Sequence, residues 1–263
     1  MSSKPIEIDP EVIRVGVKKA AARSRDALLC IVGTASIRFI GSSDPRLIVS
    51  WEHAIEGPGS PQAYVVPSLV LQLLASPASQ ELASITMRTE GKYVVMGMMD
   101  RRSRCEMRWS ADIRQFPAPP QLAEMLAVPR GMLSLNFISF SDAAHQAVAN
   151  LVNLHSVKHT PAEKLAILMD FSSSRLALDG RTIVNGIQGS YYFDPRLLIR
   201  ALEFIKSRIL QVGITPLRSS QRAVLTLLAE EDGWQVQCGL LSIGLDTGRL
   251  YPPPSERQAG AKA

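Results

Sequence analysis

The sequence predicts an α+β protein made of two repeated domains, each with two helices packed on antiparallel sheets. The chain has 263 residues, which is enough for two modest domains. A weak internal repeat supports this division, because residues 64–74 match residues 192–202 at one tyrosine, one proline and two leucines. In addition, each half alternates amphipathic helical stretches with short apolar runs bounded by polar turns.

In the first half, an amphipathic stretch predicts a helix from about Asp9 or Pro10 to Ser24, with Asp9 as its N-cap. Pro67 stands at the predicted first position of a second helix. A turn at residues 89–91 separates the last two apolar runs. The predicted strands of this half cover residues 28–41, 47–51, 84–88 and 92–99.

The second half repeats this order. A helix is predicted from about Ser141 to His155, capped by Ser141 or Asp142, and a shorter one begins near Pro195. The turn at residues 231–233 leads to the last pair of apolar runs. The predicted strands of this half cover residues 165–178, 182–187, 209–214, 223–229 and 234–241.

These elements predict the domain limits. We expect a first domain at residues 1–120, a linker at 121–134 and a second domain at 135–251. The proline-rich run at 116–120 opens the linker. Residues 252–263, which are rich in proline and small or polar residues, predict a disordered tail.

Composition restricts the class of protein. Hydrophobic residues make up 46% of the chain and charged residues 20%, which is typical of a globular protein. No apolar run is long enough to span a bilayer, and the first residues lack the pattern of a secretory signal, so we expect a cytoplasmic protein without a membrane partner. The three cysteines are widely spaced, which indicates reduced thiols and neither a disulfide framework nor a zinc site.

The basic residues are clustered. The formal net charge is +5, which suits a nucleic-acid partner. On a helical wheel, the first helix places Ile13, Val17 and Ala20 on one side and its basic residues on the other. The helix from Pro195 has the same character, with an apolar stripe of Leu198, Leu202 and Ile205. A second basic cluster consists of Arg101, Arg102, Arg104 and Arg108, with Glu106 among them. For each cluster a solvated surface is the competing interpretation.

The sequence contains little that indicates catalysis. The chain has no glycine-rich phosphate loop, nucleophile elbow, HExxH sequence or paired-carboxylate motif, so we expect no enzyme activity and no cofactor. The one spacing typical of a metal site is that of His155 and His159, four residues apart. Without a third assignable ligand, helix-end histidines are the favoured interpretation, no metal is expected, and an enzyme that uses this region is the outside alternative.

Three segments resemble the DNA sliding clamps, the group that includes the bacterial DNA polymerase III beta clamp and the proliferating cell nuclear antigen family. Residues 63–74 are similar to the first-domain helix of a beta clamp. Residues 100–109 and 112–117 are similar to the strands that end that domain and to its "DFP"-like signature. The resemblance implies a DNA-clamp fold in a ring, with helices lining a hole around duplex DNA. It also implies a noncatalytic processivity factor in DNA replication, which tethers a polymerase or another DNA-processing enzyme.

The resemblance further implies the assembly and the DNA-facing residues. Family rings contain six domains, so two domains per chain favour a homotrimer. The residues expected to face DNA are basic and lie on or next to the two cationic helices: Arg14, Lys18, Lys19, Arg23, Arg25, Arg196, Arg200, Lys206 and Arg208. The partner pocket is left unassigned. Because sliding clamps are usually acidic and this chain is basic, the alternative is a clamp-like adaptor or regulatory protein that forms no ring and binds DNA or a protein partner.

Overall fold

In the computed structural model the chain forms two compact units. Unit 1 comprises Met1–Leu126 and Glu230–Gln237, and unit 2 comprises Ala127–Ala229 and Cys238–Ala263. The residues that the structure describes are 4–21, 27–56, 61–110, 119–159, 165–172, 175–182, 190–217 and 222–243. Within these ranges no helix is both long enough and apolar enough to cross a membrane.

In its described residues, unit 1 contains two antiparallel sheets and three α-helices. Its helices are α1 (Pro10–Ala21), α2 (Ser68–Ala75) and α3 (Pro119–Met125), and a 3-10 turn covers Pro77–Glu81. Its strands are β1 (Ile6–Ile8), β2 (Ala27–Val32), β3 (Ser36–Asp44), β4 (Leu47–Ala54), β5 (Gln62–Pro67), β6 (Ser84–Glu90), β7 (Tyr93–Met99) and β8 (Arg104–Ser110). One sheet has the order β1-β6-β7-β8, and the other contains β5-β2-β3-β4.

Unit 2 follows a similar order of strand, helix, strands, helix and strands, with three described strands between its helices where unit 1 has four. Its helices are α4 (Phe137–Ser156) and α5 (Pro195–Leu202). Its strands are β9 (Leu133–Asn136), β10 (Leu165–Ser172), β11 (Arg175–Thr182), β12 (Ser190–Phe193), β13 (Ile209–Pro216), β14 (Ala223–Glu231) and β15 (Trp234–Leu241), of which β14 ends and β15 begins in unit 1. One sheet has the order β11-β10-β12, and a second contains β14-β13-β9.

Strand pairing repeats between the units. In unit 1, β1 pairs with β6, and β2 pairs with both β3 and β5. In unit 2, β9 pairs with β13, and β10 pairs with both β11 and β12. All these pairs are antiparallel. The α+β class, with helices packed on antiparallel sheets in a repeated arrangement, is therefore confirmed.

Two of the four residue pairs shared by the repeats, the tyrosines and the last leucines, belong to the core. Tyr64 on β5 and Tyr192 on β12 are both buried. The hydroxyl of Tyr64 donates to Oε1 of Gln62 at 2.7 Å. Leu74 and Leu202, the last leucines of the two matching segments, are also buried. The tyrosine and the last leucine of the repeat thus mark packing positions, where close packing restricts change. The other matched leucine differs between the copies, since Leu69 is 75% exposed and Leu197 is buried.

Several predicted strand limits are wrong in an informative way. The apolar run at 28–41 is a hairpin of two strands, β2 and β3, because Gly33 turns the chain and its N–H donates to the carbonyl of Ser36 at 2.7 Å. Likewise β10 and β11 divide the run at 165–178. The turn predicted at 89–91 is displaced to Gly91 and Lys92, where Gly91 has a φ of 59°. Strands β1 and β9 and helix α3 were not predicted.

The helix limits also differ. Helix α4 begins at Phe137, four residues before the predicted start, because the side chain of Asn136 accepts from the N–H of Ser139 at 3.2 Å and caps it. Pro67 is the N-cap of α2 and not its first residue. The cap predicted for α1 is confirmed, since Oδ1 of Asp9 accepts from the N–H of Glu11 at 2.7 Å.

In unit 2, close packing of α4 on β11 depends on a missing side chain. A Cβ added to Gly180 would lie 2.1 Å from the carbonyl oxygen of Ala147. We therefore expect Gly180→Ala to lower the free energy of unfolding by roughly 1–3 kcal/mol, because helix backbone must move. Gly131→Ala is the control, since nothing lies within 4 Å of its added Cβ. Equal denaturation midpoints for the two variants would contradict this packing.

Candidate nucleic-acid interface

Helix α1 has one buried face and one cationic face. Ile13, Val17 and Ala20 are buried, as the wheel predicts, and Lys18 is exposed. Lys18 has no ion-pair partner among the residues that the structure describes. Its ammonium group therefore remains available to an external anion.

Arg14, on the same helix, is held by its own unit. Its guanidinium pairs with Glu11 one turn earlier and donates to the carbonyl of Ser79 at 3.4 Å. The side chain is only 16% exposed. Part of its positive charge is therefore used to join α1 to the 3-10 turn that follows α2.

Lys19 is also engaged. Its Nζ lies 3.9 Å from Oε2 of Glu231, at the end of β14, and both residues belong to unit 1. The Lys19 side chain is 22% exposed and that of Glu231 is 9% exposed. Solvent screens such a pair less than a surface pair, so Lys19 contributes less free charge than Lys18 does.

Helix α5 begins with a well-formed cap. Asp194 is buried, and its Oδ1 accepts from the N–H of Arg196 at 3.0 Å, while Pro195 occupies the first turn. The Arg196 side chain is 73% exposed, and its Nη2 lies 3.4 Å from Oδ2 of Asp194. Arg196 thus presents its guanidinium at the surface beside the carboxylate that caps the helix.

Two of the predicted cations lie beyond the end of α5. The helix ends at Leu202, so Lys206 and Arg208 follow it and do not lie in its last turn. Both are exposed, whereas Arg200, in the last turn, is half-buried. The apolar stripe is nonetheless confirmed, because Leu198, Leu202 and Ile205 are all buried, Ile205 lying beyond the helix end.

Each unit therefore presents a pair of helices with unequal charge. Helix α1 packs beside α2, and α4 packs beside α5. The exposed side of α2 contains no basic residue, and that of α4 is largely uncharged, with exposed His145, Gln146, Asn150 and Asn153. The predicted cations belong to α1 and to the α5 region. Arg23 and Arg25, also predicted to face DNA, lie outside the described residues.

Sequence reasoning left one basic region without a role, the arginines at residues 101–108. The structure adds two residues to it, Arg88 and Tyr93 on the neighbouring strands β6 and β7. The sequence pattern of β6 could not indicate that Arg88 lies next to this cluster, because that position depends on the register between neighbouring strands.

The described residues offer little support for a metal site or a reactive thiol. His155 lies in the last turn of α4 and His159 follows the helix, and both are exposed. Within the described part of the chain, no three His, Cys, Asp or Glu side chains are grouped so that they could hold a metal ion. Burial raises the pKa of Cys30 to about 12, which makes its thiol unreactive at neutral pH.

Solved structures provide the comparison. The DNA polymerase III beta subunit of Thermotoga maritima matches with a TM-score of 0.59 and 11% identity, over 93% of this chain and 66% of that one. The beta subunit from DNA polymerase of Streptococcus pyogenes matches with a TM-score of 0.57 and 11% identity, over 92% and 66%. A DNA polymerase sliding clamp from Pseudomonas aeruginosa matches with a TM-score of 0.57 and 12% identity, over 93% and 68%.

This chain therefore has the fold of the DNA sliding clamps, and the resemblance seen in the sequence is confirmed at the level of the fold. The chain spans about two thirds of the length of these structures. No protein-family model matches the sequence, and no curated protein matches it.

The cap of α5 gives a prediction about the stability of the protein. We expect Asp194→Ala to reduce the free energy of unfolding by about 1 kcal/mol, because the N–H of Arg196 loses its acceptor. Asp194→Asn keeps an acceptor oxygen and should retain most of that stability. Chemical denaturation measures both variants. An alanine variant as stable as the asparagine variant would show that the cap contributes nothing.

Proposed function

We propose that this protein is a sliding-clamp-like processivity factor, which encircles duplex DNA and tethers a DNA polymerase or another DNA-processing enzyme during replication. The observation that supports this proposal most strongly is the match of 92–93% of the chain to DNA polymerase beta subunits and sliding clamps. The protein itself performs no chemistry in this account, and the tethered enzyme supplies it. The proposed site of action is the cytoplasm.

The exposed cations fit such a task physically. A clamp that slides must attract phosphates without reading bases, because base-specific hydrogen bonds would hold it in one register. Lys18 in unit 1 and Lys206 and Arg208 in unit 2 are exposed and suit this nonspecific attraction. We propose that they contact DNA together with the other predicted residues, Arg14, Lys19, Arg23, Arg25, Arg196 and Arg200.

A ring requires more than one copy of this chain. With two clamp units per chain, three copies would provide the six units that the family resemblance implies, so we propose a homotrimer. Strand β8 offers a surface for assembly. It is an edge strand in the sheet order β1-β6-β7-β8, and the free backbone groups of an edge can pair with a strand of another chain.

A second candidate function keeps the fold without the ring. The net charge of +5, the largely uncharged exposed side of α4 and the engagement of Arg14 and Lys19 with acids favour it. In this alternative the chain is an adaptor or regulatory protein that binds DNA or a protein partner as a single copy. Stoichiometry distinguishes it from the clamp.

We expect Lys18→Glu/Arg208→Glu to weaken binding to duplex DNA and to make its salt dependence shallower, because both substitutions replace an exposed cation with an anion. Each lost phosphate contact should change the slope of log K against log salt by about 0.9. Fluorescence anisotropy with a labelled duplex of arbitrary sequence measures both quantities.

The control is Lys4→Glu/Arg130→Glu, which changes two exposed cations outside helices α1 and α5 by the same total charge. Equal losses in the two double variants would assign the effect to net charge. That result, or no binding by the unaltered protein at low salt, would contradict the proposed DNA-facing residues.

Cys105 tests the assembly surface. It is an exposed residue of β8, whereas Cys30 and Cys238 are buried. We expect a bulky maleimide to react at Cys105 alone and to reduce the solution mass from that of the oligomer to the 28.7 kDa of one chain. Cys105→Ser treated with the same reagent should keep the mass of the oligomer. A labelled protein with unchanged oligomeric mass would exclude β8 as the contact.

A further inference from the structure

The outer face of the sheet that contains β8 holds a network of charged side chains. Between Arg88 and Arg108 the chain has six basic residues and three acidic ones. The strand register places Arg88 and Arg108 on either side of Val95, and it places Glu106 opposite Gly97. Because side chains alternate between the faces of a sheet, these charged residues share one face.

Arg88 bridges the two acids at the centre of this network. Its Nε lies 2.9 Å from Oε1 of Glu90, and its Nη1 lies 3.4 Å from Oε1 of Glu106. Its side chain is 19% exposed. The hydrogen bond from Arg88 holds the pKa of Glu106 below its usual range, so this carboxylate stays ionised and paired.

The outer arginines also approach these acids, but each keeps N–H donors for an external ligand, since a guanidinium has five. Arg104 is 70% exposed and contacts Glu106 through Nη2 at 3.2 Å, which uses one of its N–H groups. Arg108 is 56% exposed, 4.0 Å from Glu90, and its guanidinium carbon lies 4.2 Å from the centre of the Tyr93 ring. The Tyr93 ring contacts the flat face of this guanidinium and so fixes its orientation, while the N–H groups at the guanidinium edge can still bind a ligand.

The turn between β7 and β8 adds two further cations. Oδ1 of Asp100 accepts from the N–H of Arg102 at 2.6 Å, and Oδ2 accepts from the hydroxyl of Ser103 at 2.8 Å. These hydrogen bonds lower the pKa of Asp100, and they hold its carboxylate against groups of the turn itself. Arg101 and Arg102 are exposed, and in the described part of the chain neither guanidinium is paired with an acid.

We propose that Arg101, Arg102, Arg104 and Arg108 form a second phosphate-binding surface for duplex DNA, separate from the helices of the proposed ring lining. Arg104 and Arg108 lie four residues apart on one strand face, so their Cα atoms are separated by about 13 Å, which matches roughly four base-pair steps. Guanidinium groups at this spacing suit a regular row of phosphates. Side chains of this face and the backbone edge of β8 are different surfaces, so both can be occupied at once.

This inference rests on the proposed DNA binding, and the experiment separates the two. Arg101→Ala/Arg102→Ala in the full chain should weaken binding of a labelled duplex about tenfold in low salt and make the salt slope shallower by roughly two. Arg101→Lys/Arg102→Lys should restore the slope, since each lysine retains one charge. Lys4→Ala/Arg130→Ala is the control for net charge and should change the slope less.

A salt slope in the Arg101→Ala/Arg102→Ala variant equal to that of the control would overturn the second surface. If Lys18→Glu/Arg208→Glu then still weakened DNA binding, the proposed function would stand and only this inference would fall. Binding of a polyglutamate peptide that is lost in the alanine variant, with DNA affinity unchanged, would also overturn it and would assign the surface to an acidic protein segment. No DNA binding by the unaltered protein would remove both proposals.

Discussion

Close contact between one helix and one strand is the constraint on which each unit depends. In unit 1, a Cβ on Gly16 of α1 would lie 2.2 Å from the ring of Phe39 on β3. In unit 2, a Cβ on Gly180 of β11 would lie 2.1 Å from the backbone of α4. Strands β3 and β11 occupy equivalent positions in the repeated pairing. The two units therefore reach the same close approach with the glycine on opposite sides, on the helix in one and on the strand in the other.

That packing determines which residues remain for function. With Ile13, Val17 and Ala20 buried, the rest of α1 faces solvent or other elements of unit 1. Part of its charge is then used internally, since Arg14 contacts the 3-10 turn and Lys19 contacts Glu231. The number of basic residues on one face of a predicted helix is therefore an upper limit on the number that can contact DNA. The exposure of each side chain determines how many of these residues remain available. On α1, Lys18 is the clearest example of an available cation.

The repeat, the class of fold and most strands could be predicted because they depend on patterns within short segments. Trp234–Leu241 was predicted at its observed limits, since alternating apolar and polar residues at its start and a glycine turn before it define such a strand locally. The early start of α4 was missed because Phe137–Phe140 also suits a strand, and only the Asn136 cap decides for the helix. Ion pairs such as Lys19–Glu231 join residues that are distant in sequence, so no local pattern could indicate them.

Encirclement of DNA is the central claim, and topology tests it most directly. Chains dissociated in high salt would be reassembled in low salt with nicked circular duplex DNA, and the complexes separated from free protein by gel filtration. We expect the protein to remain with the circle in moderate salt and to be released when a restriction enzyme linearises the DNA, because a ring slides off a free end. Equal retention on circular and linear DNA would contradict encirclement and would favour the adaptor.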